Sequence, residues 1–429
     1  MKNLFLVNLF LSMNNNMIFR VDWVSFILYL FLVCFGIVNI YSTGFTEADT
    51  PFWEWGTSAG KQFWLFVVSL LFLPLVLFIN SNFFEHLSYL LYGLSIFSLL
   101  GLFLFGQKIS GATSWYLIGG FSLQPSEFVK ITTALLVTTR LSSLQMDFKK
   151  WSALGQVLLI IALPIILIIL QPDAGSALVF MGLFFVLIRE GLDLRILFLG
   201  FGLMVVFIGT LLFDPVSFSL TLGFLLFLIY LISLRRFRKI KLKPFLFALT
   251  ISVFFSFSVD FIFNSIFEQR HRDRFNIILG LETDTQGIGY NINQSKIAIG
   301  SGGLFGKGFL NGTQTKGGFV PEQHTDYIFS TIGEEWGFLG SSGVVLLFTL
   351  LILRVLYRAE KHTQSFSRIF SYCFASLLFI HFFINIGMTL GLVPTVGIPL
   401  PFISSGGTNL IAFSLMFFIY LNLDASRLY

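Results

Sequence analysis

The densest run of chemically capable side chains in this 429-residue sequence is Pro321-Glu322-Gln323-His324-Thr325-Asp326-Tyr327. Three ionisable groups, Glu322, His324 and Asp326, fall within five residues, just before a long apolar stretch. A carboxylate at such a boundary can take a proton as a general base or bind a metal ion. It can equally cap the following helix, whose dipole stabilises an anion at its start. Glu334-Glu335 follow eight and nine residues after Asp326. An ionised pair about two turns into an apolar helix costs roughly a few kcal/mol per charge in lipid, so this pair is expected to face an interior cavity.

Other polar clusters punctuate apolar sequence in the same way. Between Lys296 and Gly308, five glycines lie within nine residues (300–308), flanked by Lys296 and Lys307. Glycine lets backbone N–H groups approach an anion, so Ser301-Gly302 and its neighbours have the composition of a phosphate cradle or of a flexible turn. The order required for a P-loop is not met. Upstream, Gly111-Ala112-Thr113-Ser114-Trp115 is followed by Gln124-Pro125-Ser126-Glu127-Phe128-Val129-Lys130. Proline followed by Ser and Glu marks a helix start. Glu127 and Lys130, three apart, share a helical face and form either a structural ion pair or the lining of a substrate groove. Trp115 has the base-rate reading of an interfacial aromatic. Gln171-Pro172-Asp173-Ala174-Gly175 repeats the pattern of polar residues around a proline. The stretch Gly391–Asn409, with three prolines and four glycines, cannot form a regular helix. At membrane depth such backbone must be buried in protein or line a cavity, so a broken or re-entrant segment is expected.

The elements that must position these residues are transmembrane helices. The chain is 55% hydrophobic and 11% charged, where a soluble domain carries about 25% charged residues. The two cysteines, Cys34 and Cys373, lie in apolar runs with no disulfide or metal spacing. The first apolar stretch, Leu4 to Leu11, lacks the features of a cleavable signal. Apolar runs near 23–42, 62–80, 87–106, 125–144, 152–170, 174–189, 194–213, 217–234, 245–264, 327–353, 369–391 and 402–423 predict about twelve spans. The fold class is therefore an all-α polytopic membrane protein.

Charge sets the expected orientation. With a cytoplasmic N-terminus, the basic residues Lys149-Lys150, Arg189, Arg195, the run 235–243, and Arg354, Arg358, Lys361 and Arg368 all fall in cytoplasmic loops, as the positive-inside rule demands. The run 235–243 is then a topology anchor, not a nucleic-acid site. Residues 43–61, 107–124, 265–326 and 392–401 fall outside. The loop 265–326 is too long to be a simple connection, and its apolar islands predict that it folds onto the membrane surface.

Taken together, these motifs resemble the SEDS family (shape, elongation, division and sporulation), the RodA, FtsW and SpoVE polymerases of bacterial cell-wall synthesis. The resemblance spans about residues 22–423. It rests on Gly-Ala-x-x-Trp at 111–115, Gln-Pro-Ser-Glu-Phe-x-Lys at 124–130, Gln-Pro-Asp-x-Gly at 171–175, Gln294–Gly302, Pro-Glu-x-His-Thr-Asp at 321–326 and Gly-Ile-Pro-Leu-Pro-Phe…Ser-Gly-Gly at 397–407. The wording of Gln294–Gly302, Leu310–Gln314 and Gly397–Phe402 is most similar to the RodA type.

The resemblance implies a peptidoglycan glycosyltransferase that polymerises lipid II during cell elongation and releases undecaprenyl diphosphate. It places the general base at Asp326, with Glu322 as the neighbouring candidate, and gives Trp115 and Glu127 functional positions. Lys130, Arg272, Arg274, Lys296, the Ser301-Gly302 amides or a divalent cation (Mg or Mn, the metal requirement being open) would neutralise the departing diphosphate. His324, Ser405 and Gly406 complete the candidate substrate contacts. A class B penicillin-binding protein, elongation-complex membrane proteins and membrane lipids are the implied partners. The implied location is the bacterial cytoplasmic (inner) membrane, with both termini cytoplasmic and the site on the outer face. Two departures stand out. Ser114 replaces a usual basic residue before Trp115, and 215–264 reads as an added hairpin on a core of about ten spans. A lipid II flippase and a non-catalytic scaffold for a penicillin-binding protein are the alternatives; a flippase would not obviously need acids and glycines on the outer side only.

Overall fold

Lipid offers a backbone no hydrogen-bond partner, so each apolar run of bilayer length must close its own bonds as a helix. The computed structural model describes residues 20–44, 51–109, 111–119, 121–143, 151–213, 215–237, 242–266, 269, 272–273, 276, 281 and 288–426. Its helices are α1 (Trp23–Gly44), α2 (Ser58–Phe78), α3 (Ser81–Phe105), α4 (Pro125–Ser142), α5 (Trp151–Ile169), α6 (Ala174–Val179), α7 (Gly182–Arg189), α8 (Leu194–Leu212), α9 (Pro215–Phe237), α10 (Leu242–Phe261), α11 (Ile288–Ser301), α12 (Thr313–Lys316), α13 (Ile328–Ala359), α14 (Ser365–Thr389) and α15 (Gly407–Ser426).

Among the described residues, ten helices are long and apolar enough to cross a membrane: α1, α2, α3, α5, α8, α9, α10, α13, α14 and α15. That is two fewer than the sequence predicts, and each shortfall has a cause. Helix α4 carries Glu127, Lys130 and Arg140 within 18 residues. The stretch 174–189 is divided, α6 ending at Val179 and α7 starting at Gly182.

The chain forms two compact units, Met1–Glu190 with Asn291–Tyr429, and Gly191–Tyr290. In the first, α15 packs on α2, α4 on α3, and α14 between α13 and α4. Its core is aromatic: Tyr29 stacks on Phe417 at 4.9 Å and meets Phe402 edge-on at 5.1 Å. In the second, Thr210 of α8 reaches Ser256 of α10 at 2.9 Å, and Tyr230 of α9 stacks on Phe245 of α10 at 5.0 Å.

Two regions read as loops are partly ordered. The segment 107–124 holds a three-stranded antiparallel sheet, β1 (Gln107–Ile109), β2 (Ala112–Ile118) and β3 (Phe121–Leu123), with Trp115 opposite Gln107 and Tyr116 opposite Leu123. The Tyr116 hydroxyl donates to the Ser98 carbonyl at 2.8 Å and ties the sheet to α3. Within 265–326, α11 buries Ile292, Ser295 and Ala298, one helical face at i, i+3 and i+6. The 391–406 segment is non-helical, as expected, and residues 400–404 within it are largely buried.

Candidate active site

Asp326 stands two residues before the first residue of α13, whose N-cap position, Tyr327, makes no side-chain capping bond. The segment that carries Asp326 is laced to the 397–406 segment by backbone atoms. The Ser404 hydroxyl donates to the Thr325 carbonyl at 2.7 Å, and the Ser405 N–H to the His324 carbonyl at 2.8 Å. Asn385 of α14 donates through Nδ2 to the Asp326 carbonyl (2.8 Å) and the Ile398 carbonyl (2.7 Å). Gln62 of α2 donates to the Ser404 carbonyl at 3.0 Å and accepts from the Gly406 N–H at 3.3 Å. Gly397 adopts φ +70°, and a Cβ built there would lie 3.4 Å from Asp326 Oδ2. The half-buried carboxylate is thus walled by a backbone that prolines and hydrogen bonds hold rigid.

Glu322 is exposed and adopts φ +52°; its Oε2 accepts from the Thr325 hydroxyl at 2.9 Å. Its carbonyl accepts from the Thr325 and Tyr327 N–H groups, so Glu322 opens the tight turn that presents Asp326.

A second cluster lies in the interior of the same unit. Lys130 is 2% exposed, and its ammonium lies 2.7 Å from Glu127 Oε1 and 2.9 Å from His381 Nε2. Asn409 donates to the other Glu127 oxygen at 2.8 Å. His381 Nδ1 lies 3.1 Å from the Pro399 carbonyl, an acceptor only, so the proton sits on Nδ1 and Nε2 accepts from Lys130. A buried charge pair is costly unless further hydrogen bonds support it, and here Asn409 and His381 each supply one. The cluster therefore joins α4, α14 and α15 to the prolines behind Asp326.

Other predicted residues fall as follows. Lys296 is exposed, its Nζ 2.7 Å from the position a Cβ on Gly391 would take, at the start of the 391–406 segment. Half-buried Trp115 sits on β2; the sheet is fastened below by Thr408 donating to the Ser122 carbonyl at 3.0 Å. Beside it, the Ser114 hydroxyl is buried with no hydrogen-bond partner among the described residues. Arg272 belongs to the other unit and donates to the Asn264 carbonyl at 3.2 Å. Arg274 lies outside the described residues.

The glycine-rich run has a different setting from the anion cradle its composition suggests. Helix α13 breaks at Gly337 (φ 64°, ψ −159°). The Lys307 and Gly308 N–H groups donate to the Glu334 and Glu335 carbonyls, and the Phe338 and Leu339 N–H groups to the Gly303 and Leu304 carbonyls. The run is thus paired to the broken helix and satisfies the groups the break releases. A Cβ on Gly302 would lie 2.0 Å from the Gly333 carbonyl oxygen. Ser301 bonds back to Ala298 at 2.8 Å. The Glu334 carboxylate anchors α12, accepting from Gln314 and Thr315 N–H groups (2.8 and 2.9 Å) and from Lys307 Nζ (2.7 Å). Glu335 accepts from the Ser42 hydroxyl of α1. The acid pair therefore faces polar partners in a protein interior rather than an open cavity.

Sequence reading missed His381, Asn385, Asn409 and Gln62. The signal was present for the first two, since polar side chains within an apolar span are costly unless they have work there. They stand four apart, on one face of α14.

A bundle of spanning helices, a folded segment leading into a broken helix and a walled carboxylate define a polytopic membrane protein built around one polar boundary site. A family model described as "Cell cycle protein", which covers FtsW, RodA and SpoVE, matches residues 22–215 and 190–429. The chain belongs to this family. It is 34% identical over 338 residues to the peptidoglycan glycosyltransferase MrdB of Escherichia coli K12, covering 79% of this chain and 77% of the relative. It is 30% identical over 413 residues to the peptidoglycan glycosyltransferase RodA of Treponema pallidum, covering 91% and 94%. Among solved structures, a chain of a peptidoglycan synthase complex that coordinates polymerization and crosslinking matches at TM-score 0.71 and 25% identity, covering 95% of this chain and 98% of that one. The rod shape-determining protein RodA of Thermus thermophilus matches at TM-score 0.62 and 25% identity, covering 95% and 98%.

Proposed function

We propose that this protein is a peptidoglycan glycosyltransferase that polymerises lipid II, with Asp326 as general base. The observation that carries the reading is the placement of the Asp326 carboxylate against Gly397, outside the capping position of α13. Asp326 takes the proton of the acceptor sugar's 4-hydroxyl. That oxygen forms a bond to the anomeric carbon of the growing strand, and the bond from that carbon to the diphosphate oxygen breaks, its electron pair leaving with undecaprenyl diphosphate. The leaving group carries negative charge, which Lys296, exposed over the start of the 391–406 segment, is positioned to neutralise. Lys130 is held by Glu127 and His381, and its role is to support the wall behind Asp326.

Among the described residues, no three of His, Cys, Asp and Glu converge as a metal site. The family relationship supports a class B penicillin-binding protein as the transpeptidase partner. The basic residues at the Arg354–Arg368 end support placing that end in the cytoplasm and Asp326 at the outer face.

The test is polymerisation of lipid II by the purified full chain with its transpeptidase partner in detergent, where flipping has no meaning. Glycan chains should form, and Asp326→Ala should lower the rate by about 10²–10⁴-fold. Normal chain formation by Asp326→Ala would overturn the assignment.

A further inference from the structure

At the end of α13 opposite Asp326, a half-open cavity of about 530 Å³ lies between α7, α13 and α14. Its nearest lining residue on α13, Thr349, lies twelve residues beyond the break at Gly337, about 18 Å of unbroken helix. The cavity is thus a separate site. Its walls are apolar, with Phe185, Ile352, Leu353, Phe379 and Phe382 among them, and its volume falls within the range of small-molecule sites.

Its polar groups are concentrated at one edge. Arg189 at the end of α7 and Glu360 just past α13 form a bidentate pair through the guanidinium Nη2, at 2.8 and 3.0 Å. The Tyr372 hydroxyl donates to Glu360 at 2.7 Å, and the Tyr372 ring lies 5.5 Å from the guanidinium carbon. Both charged side chains remain about half exposed, at 52% and 53%. Nη2, which belongs to both donor forks of the guanidinium, is taken by Glu360, so the Nε–H and Nη1 hydrogens of half-exposed Arg189 remain as single donors. One edge of an apolar cavity thus offers a cation and a carboxylate side by side.

We propose that this cavity is a binding site for a zwitterionic phospholipid whose headgroup carries an ammonium, of the phosphatidylethanolamine type. One acyl chain fills the apolar cavity, the phosphodiester accepts from Nη1 of Arg189, and the ammonium donates to Glu360. Three features select this occupant. The surrounding solvent is lipid, so an apolar opening toward it fills with acyl chain. A guanidinium N–H donates a charge-assisted hydrogen bond to a phosphodiester oxygen. A purely anionic lipid supplies no cation to Glu360 once its phosphate shares Arg189, whereas an ammonium satisfies both members of the pair.

The test is native mass spectrometry of the full chain exchanged into detergent with phosphatidylethanolamine, phosphatidylglycerol or diacylglycerol of identical acyl chains. One phosphatidylethanolamine per chain should be retained, about tenfold more than either competitor, the scale of charge-assisted hydrogen bonds. The pair Arg189→Gln with Glu360→Gln should erase that preference, and Thr349→Trp, at an exposed cavity-lining position, should lower retention of all three lipids. If removing the pair costs folding, the single variant Glu360→Gln, whose amide oxygen still accepts from Arg189, should lose the preference for phosphatidylethanolamine over phosphatidylglycerol. Equal retention of the three lipids by the natural protein, or an unchanged preference in Glu360→Gln, would overturn the proposal.

Discussion

The Lys130 ammonium and the His381 imidazole are neighbours at 2.9 Å, and the far side of the same ring donates to the Pro399 carbonyl at 3.1 Å. One buried ring thus links the charge pair of α4 to the backbone that walls Asp326. Asn385, one turn further along α14, completes the link by holding Ile398 and Asp326 together.

His381 is therefore a positioning residue, and its geometry can be copied by an amide. In the polymerisation assay, His381→Ala should lower kcat about tenfold with little change in KM, since the interaction acts on the base and not on substrate binding. His381→Gln, able to accept from Lys130 and donate to Pro399, should recover most of the loss. Equal losses in the two variants would show that the bridge is not what the ring contributes.

Gly397→Ala tests the wall directly. The left-handed φ of +70° costs an L-residue about 1–2 kcal/mol, and relief of that strain would shift the backbone beside the Asp326 carboxylate. Polymerisation should drop by about tenfold or more, while Gly343→Ala, a helical site with open space around it, should behave as the natural protein.

Gly302 separates the cradle reading of the glycine run from the lock seen here. A methyl group at Gly302 collides with the Gly333 carbonyl, so Gly302→Ala should lower stability by about 2–3 kcal/mol. Gly300→Ala, with nothing within 4 Å, should not. Thermal unfolding in detergent reads the difference. Full stability with lost substrate binding would favour an anion cradle instead.

Asp22 supplies a pH dependence at the other end of the bundle. Burial pushes its carboxyl up, but hydrogen bonds from Arg354 (2.8 and 3.0 Å) and Ser25 (2.7 Å) and the charge of Arg358 outweigh this and hold it below the usual carboxylate range. A depressed folded-state value stabilises above the ordinary carboxylate pKa, and the contribution disappears as pH falls through the depressed value. Asp22→Asn should cost about 3 kcal/mol at neutral pH and flatten the acid side of the stability profile. An unchanged profile would show that the pair does not drive it.

Much of this protein was legible in its sequence because lipid enforces a simple code. Apolar runs of bilayer length become helices, the prolines and glycines of 391–406 forbid one, and the order of polar motifs identifies the family. Asp326 and Glu127 were likewise visible as carboxylates at span boundaries. The sequence could not show that the glycine run repairs a helix broken at Gly337, since composition alone does not distinguish amides facing an anion from amides facing carbonyls. Nor could it join Lys130 to His381, 251 positions apart, or place Gly397 against Asp326. Such contacts depend on how α4, α14 and the segment before α15 converge, and that is set by packing between elements distant in the chain. Residue types and local periodicity determined which groups could do chemistry; tertiary structure decided which of them meet.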